Sequence, residues 1–243
     1  MRINSELDNL FFEALKLVSA DDYKKAKHII QSILNNKSNL EKLNIDHWQY
    51  IADMSLVMGD FELAKNAYTK AENIPGVAFT LILLGDLKAA KLAIANAQPS
   101  PVTNWCNFLI ELFSEGNVKK LPLFFTLQHF LEFTVYHLLL ANRQDFLDLL
   151  LKNLDKLLQV NLDSEKIVGK AYFHFGKLDE ALKFLNLALK RNQYDGEVFF
   201  VLGQLHMQRN QFREALSMLH NALVFLPEHY PTKMLIEKAN ALL

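Results

Sequence analysis

Residues 165–227 read EKIVGKAYFHFGKLDEALKFLNLALKRNQYDGEVFFVLGQLHMQRNQFREALSMLHNALVFLP, and this stretch decides the fold because it repeats itself after 34 residues. The shift superimposes Gly169 on Gly203 and Ala181 on Ala215. Other pairs that follow the same shift are Val168 and Leu202, Leu178 and Phe212, Glu180 and Glu214, Leu182 and Leu216, Leu185 and Leu219, Ala188 and Ala222, and Leu189 and Leu223. Such a period is typical of solenoids, in which each unit buries its apolar face against the next.

The small residues of the second copy carry a family pattern. Leu202-Gly203, Ala215, Ala222 and Pro227 stand where the tetratricopeptide (TPR) pattern has leucine-glycine, alanine, alanine and proline. The segment therefore resembles the TPR family. The resemblance implies two antiparallel helices per unit, helix A and helix B, and a concave groove lined by the A helices that binds other proteins without catalysis.

Turn residues extend this pattern to the rest of the chain. A glycine, aspartate or asparagine is followed two places later by an aromatic residue or leucine, and then after three more by alanine, and these residue types tolerate the left-handed conformation that ends a helix. The predicted turns between helices A and B lie near residues 21, 59, 85, 116, 144, 176 and 210. The alanines that we expect at close crossings of the two helices are Ala26, Ala64, Ala90, Ala181 and Ala215.

The predicted fold is all-α: a TPR-like right-handed α-solenoid of six to seven antiparallel helix pairs plus a C-terminal capping helix. We expect it to span residues 1–243, with three N-terminal repeats in 1–97, degenerate repeats in 98–160, two regular TPRs in 161–227 and the capping helix in 228–243. The motifs are strongest in 45–97 and 163–227.

The middle of the chain is the least regular part of the pattern. Residues 121–142 hold no internal turn signal and fit either two helices or one long one, whereas 145–160 has the apolar spacing of a single amphipathic helix. The first helix of the third unit is short, at about 77–84. Polar residues interrupt every long apolar run, so no transmembrane span is expected.

Composition limits the possible partners and the compartment. The chain has 26 basic and 27 acidic residues, and neither half is a polycation, which disfavours nucleic acid and anionic lipid as partners. Its single cysteine, Cys106, rules out an internal disulfide. These features favour a cytoplasmic protein without direct membrane insertion.

The sequence contains little that indicates an enzyme. Its glycines are accounted for by turns and helix crossings, with none left for a phosphate-binding loop. None of the eight histidines forms a metal-binding motif, and Cys106 falls on the inner face of a helix A. We expect no catalytic residue, no cofactor and no metal.

Comparison of the two regular repeats indicates a binding surface. Packing positions are kept between them, whereas the inner positions of helix A differ in chemistry, which means that the fold does not dictate them. The predicted peptide-binding residues are Lys166, Lys170, Phe173, His174, Phe200, Gln204, Met207 and Gln208, with Ile110 and Phe113 from the middle units. The corresponding middle positions, which also include Phe79, Ile82, Leu83, Cys106, Leu131 and Leu138, are apolar and fit either a groove for apolar anchors or an interior that fills itself.

The predicted function is a non-catalytic protein-interaction module, acting as an adaptor, a scaffold or a chaperone-like protein. It would bind a peptide or helical segment of a partner in the concave groove. One alternative is a self-associating structural or secretion-chaperone-like subunit, so a homo-oligomer is possible. An RNA-binding helical-repeat protein is a weaker alternative because only Lys166 and Lys170 make the inner face basic.

Overall fold

The computed structural model describes residues 6–243, which form α-helices joined by turns and contain no strand. The helices are α1 Glu6–Ser19, α2 Tyr23–Asn35, α3 Lys37–Leu40, α4 Ile45–Val57, α5 Phe61–Lys70, α6 Ile74–Leu84, α7 Leu87–Ile94, α8 Pro101–Glu115, α9 Phe124–Leu140, α10 Gln144–Lys152, α11 Leu154–Leu158, α12 Ser164–His174, α13 Leu178–Arg191, α14 Gly196–Gln208, α15 Phe212–Phe225 and α16 Tyr230–Asn240. Consecutive helices pack in pairs, namely α1 with α2, α4 with α5, α6 with α7, α12 with α13, and α14 with α15. The predicted all-α, TPR-like fold class is confirmed.

Contacts divide the chain into two compact units. Of the described residues, unit 1 consists of 6–118 together with Leu140–Phe146. Unit 2 consists of Lys119–Leu139 together with Leu147–Leu243. The two regular repeats and α16 therefore belong to unit 2, and the N-terminal repeats to unit 1.

Six of the seven predicted turns between helices lie at the predicted residues. Backbone φ is positive at all seven turns: Asp21 (57°), Gly59 (74°), Gly85 (86°), Gly116 (69°), Asn142 (53°), Gly176 (86°) and Asn210 (57°). The fifth turn is therefore two residues earlier than the predicted 144. A left-handed residue closes helix A, because it lets the next amide bond back to a carbonyl of the last turn.

In the N-terminal repeats the residue after the turn caps the next helix. The carboxylates of Asp22, Asp60 and Asp86 accept hydrogen bonds from the backbone amides of Lys25, Leu63 and Ala89, at 3.3, 3.4 and 2.9 Å. An aspartate at this position satisfies an amide that has no partner within the helix. The turn and the cap together explain why the sequence pattern located helix boundaries so well here.

Small residues allow helix A and helix B to approach closely. A Cβ atom at Gly203 would lie 2.5 Å from Leu219 Cδ2, and one at Gly169 would lie 2.9 Å from Leu185 Cγ. Leu185 and Leu219 are themselves related by the 34-residue shift. The crossing alanines named above are all fully buried. The two glycines thus serve helix packing, as predicted.

The irregular middle resolves into one long helix and two short ones. Residues 121–142 contain the single helix α9, which settles the alternative left open by the sequence. The prediction of one helix over 145–160 is wrong, because the chain breaks at Asn153 between α10 and α11. The buried Asn153 side chain donates to the Leu149 carbonyl at 2.9 Å, a local bond that competes with continued helix. Helix α6 begins at Ile74, three residues before the predicted start.

In unit 1 the segment Leu140–Phe146 packs against the ends of the A helices. The ring of Phe146 stacks on that of Phe113 at the end of α8, with centroids 4.3 Å apart and planes 6° from parallel. The Arg143 guanidinium lies 3.8 Å from the centre of the Phe146 ring. The side chains of Leu140 and Arg143 lie against the turns at Gly59 and Gly85. The chain therefore fills this part of unit 1 with its own residues.

Unit 2 ends in α16, which covers α15 and contacts α14. The sequence predicted the capping helix in 228–243, and α16 lies within that range, at Tyr230–Asn240. Among residues 6–243 we find no helix with the length and apolar character needed to cross a bilayer.

Candidate functional site

The A helices of the two regular repeats present matching rows of side chains. Lys166, Lys170 and His174 follow one another at intervals of four along α12, and Phe200, Gln204 and Gln208 do the same along α14. Residues four apart lie on one face of an α-helix. All six keep some solvent exposure, whereas Gly169 and Gly203 on the opposite side are buried against helix B.

A solvent-filled cleft of about 510 Å³ opens over the C-terminal halves of α12 and α14. Five predicted binding residues line it: Phe173, His174, Gln204, Met207 and Gln208. The other lining residues are Asn210 and Phe212 from the turn between α14 and α15, and Leu235, Lys238 and Leu242 from α16 and its end. We call this space the C-terminal cleft.

Sequence reasoning missed the second wall of this cleft. It treated the last helix only as a cover for the apolar face, so Leu235, Lys238 and Leu242 were not considered. Asn210 and Phe212 were recognised as turn residues but not as lining. The sequence did contain a signal for this wall, namely the predicted capping helix. A helix that packs on the last repeat also lies beside the inner residues of that repeat's helix A.

A second, smaller cleft of about 400 Å³ lies beside α9. Its lining consists of His129, Glu132, Phe133, Tyr136 and His137 from α9, with Ala171 and His174 from α12. We call it the α9 cleft. His174 lines both clefts.

Lys166 and Lys170 are held in ion pairs. The ammonium group of Lys166 donates to Asp195 Oδ2 at 2.9 Å and lies 3.2 Å from Asp163 Oδ2 and 3.4 Å from Glu197 Oε2. Lys170 donates to Glu197 Oε1 at 2.7 Å. Both lysines therefore join α12 to the start of α14.

A second carboxylate connects α12 to α9. Glu132 Oε1 lies 2.8 Å from His174 Nδ1, and Glu132 Oε2 lies 3.8 Å from the Lys170 ammonium group. We call the connected set the inner-face ion network: Asp163, Lys166, Lys170, His174, Asp195 and Glu197 with Glu132.

The network favours the charged forms of Lys166, Lys170 and Glu197. Burial alone would lower the pKa of Lys166, but its hydrogen bond to Asp195 and the surrounding carboxylates outweigh burial and raise that pKa. The pKa of Lys170 is raised in the same way, against burial, chiefly by Glu197. Burial would raise the pKa of Glu197, yet its two lysine partners lower it. Opposite charges at these distances favour the charged form of each partner.

Phe200 lies outside both clefts. Its ring meets that of His229 edge to face, with centroids 4.6 Å apart, and His229 Nδ1 lies 2.6 Å from Thr232 Oγ1. Phe200 therefore packs against the connection between α15 and α16. Part of it remains exposed.

Ile110 and Phe113 are buried in unit 1. Phe113 is covered by Phe146, and neither residue offers surface to a ligand in this conformation. The same holds for Phe79, Ile82, Leu83 and Cys106 of unit 1. Of the two interpretations of these apolar positions, the structure shows the filled interior.

Cys106 is placed as a core residue. Its thiol is fully buried and donates to the Pro75 carbonyl at 3.8 Å, and burial raises its pKa to about 12. A thiol in this state is not a nucleophile. Within residues 6–243 no three histidine, cysteine, aspartate or glutamate side chains come together as a metal site would require.

No protein-family model and no curated protein matches this sequence. Solved structures do match it, and one of them is a chain in the crystal structure of the APC/C hetero-tetramer Cut9-Hcn1. The two chains are 16% identical, with a TM-score of 0.40, over 98% of this chain and 44% of the solved one. The present chain thus spans less than half the length of the chain it matches.

Proposed function

We propose that this protein is a non-catalytic interaction module that binds a segment of a partner protein on the inner face of unit 2. The observation that carries the proposal is the C-terminal cleft, where five independently predicted residues line one open space of about 510 Å³. A space of this size fits a few side chains of a peptide and not a folded domain. Adaptor, scaffold and chaperone-like roles all use such a surface.

The cleft has the composition of a peptide site. Met207, Phe212 and Leu235 supply apolar area, to which Phe173, at 7% exposed, adds little, whereas Gln204 and Gln208 supply amide donors and acceptors. Apolar pockets provide affinity for anchor side chains, and polar groups at the edge fix the register of a bound segment. Methionine adapts its shape to different partners.

We infer that nucleic acid is not the partner. The only two lysines of the predicted surface, Lys166 and Lys170, already contact carboxylates at 2.7–3.8 Å. They are therefore not available as a basic track for phosphates. A cytoplasmic location accompanies the proposal as a prediction.

A phage-displayed library of random 12-residue peptides tests the proposal. We expect selection against the protein to yield a consensus peptide, whose affinity falls about tenfold in a Gln204→Ala/Met207→Ala variant, because a few central residues carry most of the binding energy. Leu162→Ala is the control, since Leu162 is exposed between α11 and α12 and lies outside the cleft. A library that yields no binder, or a consensus peptide that both variants bind equally well, would contradict the proposal.

Self-association is a second candidate function. Val224 on α15 and Tyr230 and Met234 on α16 are exposed apolar side chains at the end of the repeat series, where terminal units normally carry a polar outer face. Light scattering over a hundredfold concentration range would reveal a dimer. A Tyr230→Glu/Met234→Glu variant should abolish that dimer, and a wild-type chain that stays monomeric throughout would dismiss this candidate.

A further inference from the structure

The charges of the inner-face ion network do not balance. Two lysines face four carboxylates, those of Asp163, Asp195, Glu197 and Glu132, and His174 adds no charge when neutral. The network therefore carries a net charge of −2. Glu132 brings this surplus into the α9 cleft, and His174 connects the network to both clefts. Lys238, the lysine of the C-terminal cleft, belongs to α16 and is not part of the network.

Three of the four carboxylate side chains are more exposed than the two lysines. Side-chain exposure is 46% for Glu197, 43% for Asp163 and 32% for Glu132, against 14% for Lys166 and 24% for Lys170. The fourth acid, Asp195, is 11% exposed. A ligand that reaches Glu132, Asp163 or Glu197 therefore meets an acidic side chain.

From these two observations we infer that unit 2 selects a peptide segment in which an apolar anchor is flanked by lysine or arginine. This inference rests on the proposed function and specifies its partner. The anchor enters the C-terminal cleft, and the basic side chain lies against Glu132 and Glu197. Both glutamate side chains stay partly exposed while ion-paired, at 32% and 46%, and each carboxylate oxygen can accept more than one hydrogen bond, so a further charge-assisted hydrogen bond can form. Acidic segments are repelled by the same wall, which provides specificity.

Three labelled peptides of 12 residues test the inference by fluorescence polarisation. All contain Leu-Ala-Ala-Phe at the centre, and the flanking positions carry three lysines, three glutamines or three glutamates. We expect the lysine peptide to bind wild type about tenfold more tightly than the glutamine peptide at 50 mM NaCl, and the glutamate peptide to bind least. This preference should shrink to about twofold at 300 mM NaCl, because added salt screens partly exposed charges.

A charge-matched pair of variants locates the effect. Glu132→Gln/Glu197→Gln removes two negative charges from the network, and Glu180→Gln/Glu214→Gln removes two from exposed, repeat-related positions on the B helices. We expect the first variant to lose the preference for the lysine peptide and the second to keep it. Equal loss in both would overturn the inference, because net charge alone would then explain the preference.

The two hypotheses fail in different ways. Equal affinity of wild type for all three peptides, or tighter binding of the glutamate peptide, overturns the charge preference and leaves the proposed function standing. Failure of all three to bind at millimolar concentration, together with an empty phage selection, overturns the proposed function itself. The wild-type comparison requires no variant, so it holds even if a substitution in the network impairs folding.

Discussion

Equivalent positions of helix A are core in α8 of unit 1 and border a cleft in α14 of unit 2. Six residues before the turn, α8 has Ile110, which is 5% exposed, and α14 has Gln204 in the wall of a cleft. Three residues before the turn, Phe113 is 6% exposed, whereas Met207 borders the cleft. In unit 1 the ring of Phe146 covers Phe113. A repeat therefore determines where a side chain lies, and the neighbouring chain determines whether a ligand can reach it.

The largest expected effect is the loss of stability when a buried side chain of unit 1 is truncated. Phe113→Ala removes a buried ring and its stacking on Phe146, so we expect the free energy of unfolding to fall by about 3–5 kcal/mol. Met207→Ala, at the equivalent open position, should cost less than about 1 kcal/mol. Urea denaturation followed by circular dichroism measures both. Similar losses in the two variants would mean that the open and filled positions do not differ.

His137 tests whether unit 2 is well packed beneath its open face. Burial lowers the pKa of this histidine to about 4 from its ordinary 6.5, although its bond with the Phe133 carbonyl acts in the opposite direction. Because the unfolded chain takes up the proton first as pH falls, the stability of the folded state should decrease between pH 6.5 and 4, by about 3 kcal/mol in all. No further change from this group is expected below pH 4.

The measurement is the unfolding free energy of wild type and of His137→Gln at several pH values. Subtracting the two profiles cancels the contribution of the carboxylates, which titrate in the same pH range, and leaves the contribution of His137 to the unfolding free energy. His129→Gln is the control, since His129 is exposed on the same helix. A difference profile that is flat from pH 7 to 4 would show that His137 is solvated.

A smaller effect on stability distinguishes the packed crossing of α14 and α15 from the residues that line the cleft. Gly203→Ala would bring a methyl group within 2.5 Å of Leu219, so we expect a loss of about 1–3 kcal/mol although alanine is the better helix former. Gln204→Ala, one residue later, faces the cleft and should change stability by less than about 0.5 kcal/mol. Thermal unfolding compares the two. A Gly203→Ala protein more stable than wild type would disprove the close crossing of α14 and α15.

Repetition made the fold predictable from the sequence. Gly59, Gly85, Gly116 and Gly176 each end a helix with positive φ, and the aspartate and asparagine substitutes at residues 21 and 210 do the same. The break at Asn153 was not predictable from apolar spacing, because the spacing continues across it and the cause is a side-chain hydrogen bond. The repeated sequence pattern thus predicted the helix pairs and their turns.

The candidate site was predictable only in its repeated part. Five of the residues lining the C-terminal cleft were found because two copies of one repeat could be compared. Phe113 is covered by Phe146, more than 30 residues further on, and no local signal in the sequence reports such a contact. The ion pairs of Lys166 and Lys170 likewise depend on carboxylates at the start of another helix. Both lysines were proposed as ligand contacts from the sequence, without taking these partners into account.

Cysteine labelling tests the contrast between filled and open positions most directly. In a Cys106→Ser background, single cysteines are placed at Ile110 and at Gln204, which lie six residues before their respective turns, and each is reacted with a maleimide under native conditions. We predict that the cysteine at position 204 reacts nearly as fast as in denaturant, and the one at position 110 at least a hundredfold more slowly, because reaction there requires opening of the core. Equal rates at the two positions would contradict this account.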